Sequence, residues 1–361
     1  MPKKEKWYEK EIRGDIVLPL ISFSVLFLYT IIVSYIPRFL TQVYNPPLMV
    51  DQPFSVVVEK YLPVSPTILS AVFLGFFSIY FYYAPIDFYS GTFFALIILL
   101  DVSMMSNITL TSSSSLQSIL VLLSLTCAHR VIYYVPYNLV WFLSLFIMWP
   151  SIYFALLFNF DCIGVLVSIS FQLLIYSIYE VVFQPRNKNS KKSTFLKRIW
   201  KFISNFLLLF VPSIIFFYSL LYIDQNIIST PYRFEIIDFG LLSEEIKKTE
   251  SISILLIALI SLIALIFLDF HHDMLIPFFG LLFGFIITLF APIQTNGDTI
   301  PRKIHFCKIQ IMLAIGLITG SLKNPWHSRG LVALYVIISF VAKLVWLKNE
   351  ALSTPPMYRF Q

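Results

Sequence analysis

Charge is what the chain has least of: 13% of its 361 residues are Asp, Glu, Lys or Arg, where soluble domains carry roughly 25%. With 58% hydrophobic residues and a mean hydropathy of +0.80, that scarcity excludes an ordinary soluble domain. Glycine is scarce too, at 11 residues. Transporters with broken helices and sliding interfaces use small residues freely, so the shortage argues against that architecture. Cys127, Cys162 and Cys307 are odd in number and far apart, which indicates neither a disulfide framework nor a zinc site. They are expected as buried free thiols. There is no Gly-rich phosphate loop, nucleophile elbow or HExxH pair. Only five histidines are present, which leaves little material for a multi-histidine iron or zinc enzyme, and no catalytic residue, metal or cofactor is expected.

What remains is apolar sequence in runs near the roughly 20 residues that cross a bilayer as a helix. The runs do not alternate apolar with polar, as a membrane β-barrel requires. The expected fold is therefore all-α: a polytopic transmembrane helical bundle of ten or eleven spans in two blocks, six and then four or five. The spans are expected at 16–36, 68–84, 88–105, 116–135, 139–158, 162–183, 202–223, 252–268, 274–291, 304–320 and 331–347. The first is too long for a signal-peptide core and reads as a retained span. The run at 304–320 is short and preceded by charge, so it reads either as a crossing or as a re-entrant or interfacial segment. The choice decides on which side the C-terminus lies.

A basic segment at 184–201 separates the N-terminal block, 1–183, from the C-terminal block, 202–361. It holds Arg186, Lys188, Lys191, Lys192, Lys197, Arg198 and Lys201 and no acidic residue. Short loops this basic stay in the cytoplasm, so the segment is a topology determinant and the N-terminus is cytoplasmic too. Its second half, with Phe195, Leu196, Ile199 and Trp200, reads as an amphipathic helix leading into the seventh span. The net charge of +6 comes largely from this segment and suits anionic lipid headgroups rather than nucleic acid. The loop at 224–250 is acidic and falls on the non-cytoplasmic side by span count, as does the sequon at Asn107.

Ionisable groups inside spans are expensive and therefore candidates for function. Asp101 lies within the third span and is expected to accept hydrogen bonds from neighbours or to carry a proton or cation. Arg130 should lie near the opposite membrane face, so the two are not expected to pair. Asp269, His271, His272 and Asp273 form the densest polar cluster. Their spacing matches no established metal motif, and a solvated turn is the simpler reading. His305 and Lys308, three apart after Arg302 and Lys303, share a helical face at a helix start, where an anion such as a phosphate or lipid headgroup would be favoured. Interface anchoring is the simpler expectation. Gly280 with Gly284, and Gly316 with Gly320, are four apart and give two helices strips for close helix packing.

The first functional expectation is a non-catalytic assembly or scaffold subunit of an endomembrane complex, in the endoplasmic reticulum or nuclear envelope, with membrane lipids and a protein within the membrane as partners. It leans on the few intramembrane charges and the lack of motifs. The alternatives are a transporter or channel for a small solute or ion, using Asp101 or the cluster at 269–273, and a membrane enzyme acting on lipid or lipid-linked substrates.

Overall fold

The computed structural model describes residues 66–83, 112–133, 139–182, 195–223, 252–270, 274–291, 293–294 and 300–353, and individual positions at 54, 58, 60, 61, 94, 97, 98, 100, 101, 104, 234, 235, 240, 242, 243 and 246. The helices run α1 (Pro66–Tyr83), α2 (Ser112–Tyr133), α3 (Leu139–Phe158), a 3-10 turn (Phe160–Cys162), α4 (Ile163–Val182), α5 (Phe195–Ile223), α6 (Ile252–Phe267), α7 (Leu275–Phe290), α8 (Ile300–Gly320) and α9 (Pro325–Ser353). Two short strands, β1 (Phe234–Glu235) and β2 (Ile293–Gln294), pair antiparallel. Six helices are long and apolar enough to cross a membrane: α2, α3, α4, α5, α8 and α9. Shorter apolar helices accompany them at Ile68–Phe77, Ile252–Phe267 and Leu275–Phe290. The expected first span, most of the third, the sequon at Asn107, residues 184–194 of the basic segment, and His271, His272 and Asp273 lie outside the described residues.

One apolar core joins both sides of the basic segment, from Phe73 of α1 to Tyr335 of α9. The most extensive helix pairings are α2 with α3 and α4 with α7. Small residues explain the second. Gly164, Ser168 and Gln172 recur every fourth residue along α4, and Gly280, Gly284 and Thr288 do so along α7. A Cβ at Gly284 would lie 2.5 Å from the Ser168 Cβ and 2.6 Å from the Gly164 carbonyl oxygen, closer than any packing permits. Backbones meet here because side chains are absent. Gly316 is buried and Gly320 half-buried in α8.

Hydrogen bonds complete the frame. Trp149 of α3 donates to the Leu209 carbonyl at 2.9 Å, and its neighbour Tyr153 meets Ser213 at 2.7 Å, tying α5 to the bundle. Both contacts flank Pro212, which lies inside α5 and interrupts its backbone ladder. On the opposite side, Ser261 of α6 and Tyr335 of α9 share a 2.6 Å hydrogen bond.

The two ends of the bundle differ. At one end β1 pairs with β2, and Leu242 and Ile246, both in helical conformation, pack with Leu289, Ile300 and Ile304 over the start of α8. At the other, Lys323 donates its backbone N–H to the Asp269 carbonyl at 3.0 Å, and Phe270 bridges to Leu322. The Lys323 and Asp269 side chains are exposed, 3.9 Å apart. Asp269 is thus a turn residue, and His305 starts from the opposite end of the bundle.

Candidate functional site

The run at 304–320, which sequence reads either as a crossing or as a re-entrant segment, is all but the first turn of an unbroken helix, α8. α8 is the most buried of the six long helices, with 89% of its span Arg302–Gly320 inside the protein. Arg302, Lys303, His305, Lys308 and Gln310 are all buried. The expected interface anchoring does not occur. Long cationic side chains at a helix end reach for headgroups only when the helix borders lipid, and here α6, α7, α9 and the 3-10 turn surround it.

Deepest of these ionic groups is Lys308. It lies eight residues on from Ile300, about 12 Å along a helix of about 30 Å at ~1.5 Å per residue. Its Nζ donates to both carboxylate oxygens of Asp101, at 3.0 and 2.9 Å. The side chains are 3% and 8% exposed, so the pair is shielded from water. Asp101 sits at a break in helical structure: positions 100 and 104 are helical and 101 is not. Its backbone N–H closes the turn behind it on the Ile97 and Ile98 carbonyls. Its Oδ1 accepts from the Met104 N–H ahead at 2.8 Å, as an N-cap does. The break thus places a carboxylate in the interior with its oxygens fully engaged.

His305, one helical turn nearer the end, faces α2. Its Nε2 is 2.9 Å from Ser118 Oγ, which also bonds to the Ser114 carbonyl at 2.9 Å. A hydroxyl has one proton, and a carbonyl can only accept. Ser118 therefore donates to Ser114, and His305 donates from Nε2. In the neutral imidazole this leaves Nδ1 as a lone-pair acceptor, and that atom has no hydrogen-bond partner among the described residues.

Beyond His305, the 3-10 turn closes over the first turn of α8. Gln117 Nε2 donates to the Ala155 and Asn159 carbonyls at 3.0 and 3.2 Å, satisfying the end of α3. Asn159 Oδ1 accepts from the Asp161 N–H at 3.0 Å and fixes the turn. The Asp161 carboxylate, 2% exposed, interacts electrostatically with Arg302 and Lys303. Asp161 Oδ2 and Asn159 Nδ2 are buried without a hydrogen-bond partner among the described residues. Lys303 also donates to the Ala291 carbonyl, and on the same face Gln310 Nε2 donates to Thr288 Oγ1 at 2.8 Å.

The structure thus brings together Asp101, His305 and Lys308 from the sequence candidates and leaves Asp269 apart. Asn159, Asp161, Gln117 and Ser118 were not singled out in sequence; Asp161 falls in the short connection between the runs at 139–158 and 162–183. The usable signal for the ion pair was parity of the spans, which puts residues 101 and 308 toward the same membrane face. Among the described residues no group of three or more His, Cys, Asp or Glu side chains gathers as a metal site. No protein-family model matches the chain, and no curated protein or solved structure matches it.

Proposed function

We propose that the protein is a membrane carrier that binds a small polar solute inside the bundle, along the ionic face of α8. The observation that carries this reading is the Lys308–Asp101 pair near the middle of the most buried helix. A bundle that only held partners together would be as stable with apolar residues there, because desolvating two charges costs about as much as their attraction returns. Charges kept inside a membrane mark solute and ion paths. The assembly-subunit expectation rested on a shortage of intramembrane charge, and that shortage does not extend to α8.

The reading includes an orientation. With the basic segment and N-terminus cytoplasmic and ten or eleven crossings in all, the end carrying β1, β2 and the 3-10 turn faces away from the cytoplasm. In an endomembrane that end opens to the lumen. Lipid is then the partner of the exposed apolar faces of α5 and α9.

Accessibility in sealed vesicles tests the reading. With Cys127, Cys162 and Cys307 changed to Ser, a Ser118→Cys variant places a thiol beside His305. A carrier exposes it to a membrane-impermeant thiol reagent from one side, and protection by solute then becomes the assay for substrate. Should the thiol stay inert from both sides in a properly inserted protein, while a control cysteine at Lys323 reacts, the bundle is dry and the proposal is lost.

A further inference from the structure

We infer that the flank formed by α6 and α9 is a docking surface for a thinned bilayer, one whose hydrocarbon is about 25 Å deep rather than the usual ~30 Å. Ile254, Ile257, Ser261 and Ala264 turn one face of α6 into the bundle. Leu255, Leu259, Leu262 and Ile266 leave the opposite face uncovered along the whole helix. That face is short. α6 has 16 residues, which rise about 24 Å. Charge fixes its ends. Asp269 follows the last helical residue but one, and its side chain is 89% exposed. A carboxylate on so short a stem cannot snorkel as Lys and Arg do, so the hydrocarbon ends at or before residue 269. In sequence Glu250 stands two residues before Ile252. Tilting a helix only shortens its reach across the membrane, which makes about 25 Å a ceiling.

α9, joined to α6 by the Ser261–Tyr335 hydrogen bond, has the same measure. The Arg329 guanidinium lies 5.6 Å from the ring centroid of Trp326, one turn nearer the helix start. An exposed Trp beside a cation marks a membrane interface. Lys343 lies 17 residues on from Trp326, again about 25 Å. By contrast, the apolar span of α5, Phe202–Ile223, has 22 residues, about 33 Å. One side of the protein therefore fits an ordinary bilayer, and the other fits one thinner by roughly 8 Å. A short apolar face is accommodated by thinning the lipid or by covering the face with another chain. The rim of this face carries one charge of each sign, Asp269 and Lys323, 3.9 Å apart and exposed, which matches zwitterionic headgroups. The occupant is thus lipid. The endoplasmic reticulum bilayer, at about 27 Å, suits this flank better than a plasma membrane of about 32–33 Å. The surface is independent of any solute path inside the bundle.

Two measurements on the full chain test the assignment. In vesicles of monounsaturated phosphatidylcholines with chains of about 14 to 22 carbons, thermal unfolding is expected to come latest at the short end. The midpoint should fall by at least about 5 °C at the long end. Asp269→Leu with Lys323→Leu lengthens the apolar edge and should move the optimum toward longer chains. The second measurement is local. With Cys127, Cys162 and Cys307 changed to Ser, nitroxides are placed at Leu259→Cys, midway along α6, and at Ile214→Cys, midway along α5. Collisions with oxygen and with a water-soluble nickel chelate report the depth of each in 18-carbon lipid. The Leu259 label should lie roughly 4 Å shallower than the Ile214 label, half the difference in helix length. If the double variant does not fold, this depth difference decides. A flat or long-chain optimum overturns the inference, and so do equal depths at the two labels. A Leu259 label shielded from oxygen overturns it as well, because a second protein chain then covers α6.

Discussion

Two long helices of this protein, α5 and α8, invert each other. α5 is apolar through its span Phe202–Ile223, and 6% of that span is buried; α8 carries four basic or imidazole side chains in its first turns, and 89% of its span is buried. In water the order would be reversed, because burial there follows hydrophobicity. In a bilayer the tails are as apolar as leucine, so an apolar helix gains little by leaving them, and a polar helix gains its partners only inside the protein. Polarity, not hydrophobicity, therefore ranks these helices by depth. Leu207, Ile214, Ile215 and Tyr218 of α5 face outward, while Lys303 and Lys308 of α8 are nearly inaccessible.

The contrast can be broken in several places. The largest effect is expected at Gly284, beside both α4 and Gln310 of α8. Gly284→Leu forces the two backbones apart, and no monodisperse protein should survive size-exclusion chromatography in mild detergent. Next comes Lys308→Met, which strands the Asp101 carboxylate and should lower stability by about 3–5 kcal/mol. Adding Asp101→Asn to it should recover at least half of the loss in thermal unfolding; no recovery would mean that the two residues act separately. A matched pair of truncations follows. Ile309→Ala on α8, where the side chain is fully buried, should cost about 2–5 kcal/mol. Tyr335→Phe, which removes the bond to Ser261, should cost about 0.6 kcal/mol, typical of hydrogen bonds between membrane helices. The smallest effect belongs to Ile214→Ala on α5, 53% exposed, which should change stability by under about 0.5 kcal/mol. A large loss there would show that α5 faces protein rather than lipid.

Much of the architecture was legible because hydropathy is a local property. The expected run at 139–158 coincides with α3, and those at 252–268 and 274–291 fall within a residue of α6 and α7 at either end. The expected amphipathic segment at Phe195–Trp200 runs without a break into the span at 202–223 as α5, whereas the boundary slipped where polar residues continue a helix beyond its apolar part: α8 begins at Ile300 rather than at 304. Partner choice was not legible. Nothing local in Leu100-Asp101-Val102 specifies a lysine on another helix, and nothing around Asp161 distinguishes a buried turn from a wet one. The four-residue spacing of Gly280 and Gly284 was visible as a strip for close approach. Its mate, Gly164 with Ser168 and Gln172, has the same spacing, but with one glycine it does not stand out until the helices are placed side by side.

The Asp101–Lys308 pair also has a timetable. Its members are 207 positions apart in the chain, and at roughly 5–20 residues per second a ribosome needs about 10–40 s to go from one to the other. Throughout that interval Asp101 is made and its partner is not, and a lone carboxylate in a bilayer costs about 2.5–3.5 kcal/mol on insertion scales. The segment around residue 101 must therefore wait at the translocation machinery or lie shallow until α8 arrives. Completion of the bundle is thus a late event in synthesis, and a chain truncated before residue 308 should be retained by the insertion machinery or degraded, even with its earlier spans intact.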